Sequence, residues 1–309
     1  MFLGFAQVVF GAIVRITGSG MGCGDHWPDC YGSFTPAHSG PNLLVEISHR
    51  YGAAALSLAI AALVVAAWLK RREPGVGGPG GVLRPSLVAI LLVVVAALFG
   101  AVTVKLSLDP LVVVTHLAIA MSLLAVLVVV VVRAGGFGAL ATSERSPRTF
   151  RSGKVAAALT FVALVLGALT ANTPGAPLAC QGFPWCMQIG ATGSPLLIHA
   201  SHRIIALLLL GHLIGVAIGV RKRAEPRPLR TAAWTALGLV VLQILVAAAM
   251  VEMHLPASLR SIHQAIGTAL WITVVALASL ANGQRFDIER IVYESPSRGE
   301  YATPEGVAT

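Results

Sequence analysis

The stretch LLVEISHRYGAAALSLAIAALVVAAWL, residues 43–69, is long and apolar, yet its first turns carry Glu46, His49 and Arg50. A helix needs about 20 mostly apolar residues to cross roughly 30 Å of hydrocarbon, so this run reads as a membrane span. Ionisable side chains inside a span are costly and point to a partner, a cavity or a bound group. Working outward, seven further segments qualify or nearly qualify: 1–16, 85–106, 111–133, 155–171, 196–220, 231–252 and 258–282. Residues Met1 to Val14 are apolar from the start, without the basic flank or cleavage site of a secretory signal, and read as a retained helix, although a short one.

Composition agrees. The 309 residues are 56% hydrophobic and only 11% charged, too little polar surface to cover a soluble fold. The net charge of +9 does not mark a nucleic-acid binder, because the basic residues follow topology. Most of the 22 Lys and Arg lie after the second, fourth, sixth and eighth segments, including Lys70, Arg71, Arg72, Arg145, Arg148, Arg151, Arg221, Lys222, Arg223, Arg285, Arg290 and Arg298. That side is expected to be cytoplasmic, with both termini on it, in a cell (inner) membrane. Loops 17–42 and 172–195 then face outward. The runs 73–81, 134–154 and 283–309 lack an apolar stripe and are expected to be flexible cytoplasmic segments.

The chain repeats itself. Gly11-Ala12 matches Gly167-Ala168, Trp27-Pro28-Asp29-Cys30 matches Phe183-Pro184-Trp185-Cys186, Ser48-His49-Arg50 matches Ser201-His202-Arg203, and His116-Leu117-Ala118-Ile119 matches His263-Gln264-Ala265-Ile266. The offsets are 156, 156, 153 and 147, a drift that loop insertions absorb. Low-complexity Ala/Val/Leu sequence does not place these motifs in one order twice. The expected fold is therefore all-α and integral to the membrane: eight transmembrane helices as two duplicated four-helix bundles, residues 1–133 and 155–282, joined by a linker 134–154 and followed by a tail 283–309.

His49 and His116 each fall about six residues inside a span, roughly 9 Å below its outer boundary, and His202 and His263 repeat the arrangement. A lone intramembrane histidine is usually a hydrogen-bonded packing residue; four at matched depth call for a shared cause. Axial ligation of heme iron by facing imidazoles supplies one, with Ala, Val and Leu lining the slot for the macrocycle. His26, His38, His254 and His212 lie in loops, at a helix end or without a counterpart, and are set aside as ligands. Arg50 and Arg203 follow a proposed ligand on the outward side, where either a porphyrin carboxylate or the lipid headgroups could hold them. Lys105 and Arg260 read as interfacial anchors.

Glu46 precedes His49 by three residues, on the same face, and its counterpart is His199. A carboxylate beside a heme edge could handle protons; the plainer role is a helix cap or a pair with Arg50. Cys23 and Cys30 share one outer loop and Cys180 and Cys186 the other, so two intraloop disulfides are expected, a four-cysteine zinc site having the wrong spacings.

These residues resemble a known family, the heme A synthases of bacteria and mitochondria. The resemblance covers nearly the whole chain. Its specific parts are Thr17-Gly18-Ser19-Gly20-Met21-Gly22-Cys23-Gly24 with Trp27-Pro28-Asp29-Cys30, then Glu46-Ile47-Ser48-His49-Arg50, His116, His202-Arg203 and His263. It implies an oxidoreductase that converts the C8 methyl of heme O to a formyl group by successive water-derived hydroxylations, for cytochrome oxidase assembly. It also implies that His49 and His116, supported by Glu46, hold heme O or heme A as substrate and product, while His202 and His263 hold a heme b. The short first segment departs from the family pattern at the N-terminus and not at the site.

The implied partners are heme O, the heme O synthase (protoheme farnesyltransferase), cytochrome oxidase assembly factors and membrane lipid, with no nucleic acid; a homo-oligomer is compatible with the sequence. The rival reading is a diheme b-type cytochrome that only transfers electrons. A transporter is disfavoured, since no segment is broken at mid-membrane.

Overall fold

The computed structural model describes residues 1–34, 40–141 and 145–283; His38, Arg285, Arg290, Arg298 and the tail after Gly283 lie outside the described residues. Among the described residues there are eight α-helices: α1 (Phe2–Ile16), α2 (Pro41–Leu69), α3 (Leu83–Lys105), α4 (Pro110–Arg133), α5 (Pro147–Asn172), α6 (Ser194–Lys222), α7 (Arg227–Glu252) and α8 (Ala257–Ala281). Seven are long and apolar enough to cross a membrane, and α1, with 15 residues, is shorter. The protein is an all-α, multi-pass membrane protein.

Helix starts follow local chemistry. Proline occupies the first turn of α2, α4, α5, α6 and α7, where no intrahelical N–H is needed. Asp109 caps α4, its Oδ1 accepting from the Leu111 and Val112 amides at 2.9 and 3.3 Å.

The packing repeats as the sequence does. α1 packs on α2, α2 on α3 and α3 on α4, with α4 closing on α1; α5, α6, α7 and α8 form the same ring. The halves meet through α4 against α8, flanked by α1 on α8 and α4 on α5, which are equivalent contacts under exchange of the halves. Their core is continuous: Met121, Leu124, Val128 and Val132 of α4 join Leu270, Trp271, Val274 and Leu277 of α8. Trp271, 6% exposed, donates from Nε1 to the Met121 carbonyl at 2.8 Å, a polar tie within an apolar seam.

Two segments differ from expectation. Helix α5 begins at Pro147, so the linker is 134–146, and Gly136–Ala141 within it is a 3-10 turn. The helix simply continues below its apolar part, where Arg148, Arg151 and Lys154 hide it from a hydropathy reading. Residues 70–83 are a chain of tight turns, closed by Val82 N–H to the Gly75 carbonyl and pinned by Arg133 donating to the Gly81 carbonyl at 2.9 Å.

At the opposite end from these segments, the loop after α1 and the loop after α5 carry the cysteines. The second includes a short antiparallel pair, β1 (Cys180–Gln181) and β2 (Gln188–Ile189).

Candidate functional site

In each half the second and fourth helices present their histidines to one another. His49 of α2 and His116 of α4 lie close enough to interact electrostatically, as do His202 of α6 and His263 of α8. Room for the imidazoles comes from a glycine on a neighbouring helix. A Cβ at Gly11 would stand 3.0 Å from His49 Cε1, and one at Gly167 would stand 2.9 Å from His202 Cε1. The repeated Gly-Ala pair is thus explained as a close approach of helix to ring.

The polar partners of the rings are also related by the repeat, with a twist. Gln7 Nε2 lies 3.0 Å from His49 Nδ1 and donates to the His49 carbonyl at 2.9 Å. At the equivalent position of the other half stands Ala163, whose carbonyl accepts from His202 Nδ1 at 3.0 Å. That bond fixes the neutral tautomer with the Nε2 lone pair available, the form a metal takes. For the second histidines the roles are exchanged: Gln243 Nε2 lies 3.1 Å from His263 Nε2, and His116 lies against the Ala96 carbonyl. Both His116 and His263 keep a buried Nδ1 without a hydrogen-bond partner. Buried polar atoms are rarely left so, and finding one on the same residue of each pair points to a bound group.

A cavity of about 460 Å³ opens beside the C-terminal pair, within the size range of small-molecule and cofactor sites. Its lining is mostly apolar, with Leu164, Leu209, Val240 and Ile244 among it, and His199, His202, Arg203, Gln243 and His263 supply polar groups. An apolar slot between two imidazoles, with unsatisfied ring nitrogens and no bulk on the facing glycine, fits a porphyrin held through its iron.

Above the pairs sits a second repeated device. Glu46, 4% exposed, accepts from the Cys23 amide at 2.9 Å and pairs with Arg50, one helical turn on. Arg50 reaches the Pro28 and Asp29 carbonyls at 3.2 and 2.7 Å. In the other half His199 donates from Nδ1 to the Ala176 carbonyl at 2.8 Å and accepts from Arg203 Nε at 3.2 Å. Arg203 donates to the carbonyls of Cys180, Gly182 and Pro184 at 2.6, 2.8 and 3.4 Å. The carboxylate accepts from a loop N–H where the imidazole donates to a loop carbonyl, so the Glu46/His199 difference inverts a polarity while keeping a clamp. Arg50 and Arg203, expected at a porphyrin carboxylate or at the headgroups, donate to loop carbonyls in this geometry, and Arg203 also lines the cavity.

Under the clamp, Cys23 and Cys30 stand at disulfide distance with Cα atoms 4.9 Å apart, packed on Leu43 and Ile47. Cys180 and Cys186 do the same with Cα atoms 4.8 Å apart. The signature loop is tied down by Ser19, which donates to Asn42 Oδ1 at 3.3 Å and shares a hydrogen bond with the Thr17 hydroxyl at 2.7 Å.

Other residues resolve simply. His212 Nε2 donates to the Ser152 carbonyl at 2.9 Å, His26 stacks tilted on Tyr31, and His254 sits in a turn with φ 59°. Lys105 forms an exposed ion pair with Asp25 at 3.6 Å. Arg260, expected to be an interfacial anchor, instead lines the cavity with Arg15. Gln7, Gln243, Arg15 and the two backing glycines were not singled out for the site from sequence; a lone amide or guanidinium in an apolar helix is the signal that could have found the first three.

The family model of the COX15-CtaA cytochrome oxidase assembly proteins matches residues 1–42 and 40–275. The chain belongs to this family. A heme A synthase of Bacillus pumilus is 30% identical over 221 residues, 67% of this chain and 68% of that protein. A heme A synthase of Alkalihalophilus pseudofirmus is 31% identical over 237 residues, 73% of this chain and 75% of that one. A Thermus thermophilus protein named protoheme IX farnesyltransferase is 31% identical over 290 residues, 88% of this chain but only 46% of its own length.

Proposed function

We propose that this family member is a heme A synthase, an oxidoreductase that converts the C8 methyl of heme O to a formyl group with water as the oxygen source, a four-electron oxidation (CH3 + H2O → CHO + 4 H+ + 4 e−) whose electrons pass to an acceptor outside the chain. The observation that carries the reading is the doubled histidine pair, backed by Gly11 and Gly167 and left with a buried unpartnered nitrogen on His116 and His263. Relatives named heme A synthase support its chemical direction.

In this reading His49 and His116 hold heme O and its oxidised products, and His202 and His263 hold a heme b. Bound there, the iron porphyrins supply the redox chemistry, and the chain supplies ligation, orientation and proton handling. Gln7 fixes the His49 ring. Glu46, buried, joined to the Cys23 amide and paired with Arg50, is a carboxylate at this end of α2, and in this reading it relays protons released as the methyl is oxidised. His199 has both nitrogens engaged and does no such work. The protein sits in the cell membrane with the cysteine loops and both heme levels toward the outer face. Cytochrome oxidase assembly factors are the consumers of its product. The Thermus relative, a longer chain named for farnesyl transfer to protoheme IX, supports a heme O synthase working alongside as the source of substrate.

Co-expression with a heme O source, followed by pigment extraction, chromatography and mass analysis, tests the proposal. Heme A and its alcohol precursor are expected beside heme b. Only heme b and heme O, with both histidine pairs occupied, would support the electron-transfer cytochrome instead. Glu46→Gln is expected to lower heme A yield by about 100-fold, within the usual range for a lost acid–base group, while leaving bound pigment in place.

A further inference from the structure

Arg15 ends α1 in the N-terminal half, yet it lines the cavity of the C-terminal half. It reaches that cavity across the α1–α8 contact and donates from Nη1 to the Ala171 carbonyl at 3.2 Å. Arg260, in the first turn of α8, lines the same cavity. Both are partly buried, and they lie near enough for mutual repulsion. Among the described residues, no ion pair involves either one; the four present join Arg50, Lys70, Lys105 and Arg223 to other carboxylates. Two cations held together at the edge of an apolar chamber, with no acidic partner, are unfavourable until an anion joins them. A single bond to Ala171, at the last turn of α5, uses one of five guanidinium donors and leaves the rest of the fork unspent.

We propose that Arg15 and Arg260, one from each half, hold the carboxylates of the porphyrin retained between His202 and His263. This rests on the reading of that pair as a heme site. Arg203 lines the same cavity, but its donors are given to the Cys180, Gly182 and Pro184 carbonyls. The C-terminal site is therefore complete only when the N-terminal half is docked on it. Applying the offsets of 156 and 147, the positions that would serve the N-terminal pair are Ala171 and Val113, neither of which binds an anion. One site anchors its porphyrin by charge as well as iron. The other relies on iron and apolar contact, as a site that admits substrate and releases product requires.

The test uses full-length protein in a His116→Ala background, so that the C-terminal pair alone is read. Transfer of bound heme to excess apomyoglobin gives its rate of loss, and a redox titration gives its midpoint potential. Arg15→Gln with Arg260→Gln is expected to speed loss by roughly tenfold or more and to lower the potential, since removing positive charge favours the ferric form, while the imidazole-ligated spectrum is kept. Heme dimethyl ester, which lacks the carboxylates, is expected to leave the parent protein about as fast as free-acid heme leaves the double variant, and the variant is expected not to distinguish the two pigments. Arg15→Lys restores part of the retention that Arg15→Gln loses, a comparison that stands if the double variant does not fold. An unchanged rate, or a variant that still favours the free acid as strongly as the parent, overturns the inference. A parent with no imidazole-ligated heme overturns the heme-site reading and this inference with it.

Discussion

At the scale of single residues, the site is built by matching each imidazole to a small neighbour and a polar partner. Gly167 shows how tight the match is. A methyl there would press on His202 Cε1 at 2.9 Å and on Nδ1 at 3.3 Å, and would turn the ring off the Ala163 carbonyl. Gly167→Ala is expected to cost about 1–3 kcal/mol and to reduce the fraction of C-terminal heme with two imidazole ligands, read in the low-spin absorption bands. The four histidines were legible in the sequence because they repeat in order with their neighbours. The glutamines were not, since Gln7 pairs with Ala163 and Gln243 with Ala96, so the repeat conceals them; a backbone carbonyl does in one half what an amide does in the other. Arg260 stands near a helix start, where it looks interfacial until α1 is packed beside α8.

Glu225, in the turn between α6 and α7, accepts from Ser146 and Thr149 at 2.5 Å each and from Arg223 at 3.1 Å, and is 9% exposed. Burial alone would raise its pKa, but those bonds and the Arg223 charge outweigh it and hold the carboxyl below its ordinary 4.5. A depressed folded-state value means that the stabilisation is complete above the unfolded value and fades as pH falls through the folded one. Thermal unfolding in detergent is therefore expected to show Glu225→Gln less stable than wild type by about 1–3 kcal/mol at pH 7, with the gap closing below pH about 4.

At the scale of elements, the seam between α4 and α8 carries the assembly. Trp271 combines burial with a hydrogen bond to the Met121 carbonyl, and Phe161 of α5 packs on its ring at 5.6 Å. Trp271→Phe is expected to destabilise the protein by about 1–2 kcal/mol, measured as a lower unfolding midpoint with both heme signals lost together, because the seam is common to both halves. Helix positions were legible to within a few residues wherever apolar composition defines them. The start of α5 was not, since Arg148, Arg151 and Lys154 extend it beyond its apolar part, and Pro147 rather than hydropathy sets its first turn. Nor does the sequence disclose the turns over Gly136–Ala141, which are kinked at Phe137 and Gly138, both in left-handed conformations.

At the scale of the whole molecule, duplication gives two histidine pairs of one plan, and small departures distinguish their surroundings. The departures lie at matched positions: Glu46 against His199 in the clamps, Gln7 against Ala163 and Gln243 against Ala96 around the rings, and Arg15 and Arg260 on one chamber only. Symmetry places two histidine pairs; in the proposed function, asymmetry decides which of them does chemistry. The most direct test is to identify the pigments bound by His116→Ala and by His263→Ala, each expressed with a heme O source and purified intact. His116→Ala is predicted to keep heme b and lose heme O and heme A, and His263→Ala to lose heme b while still binding heme O. Equal loss of the same pigments from both variants would contradict a division of labour between the halves.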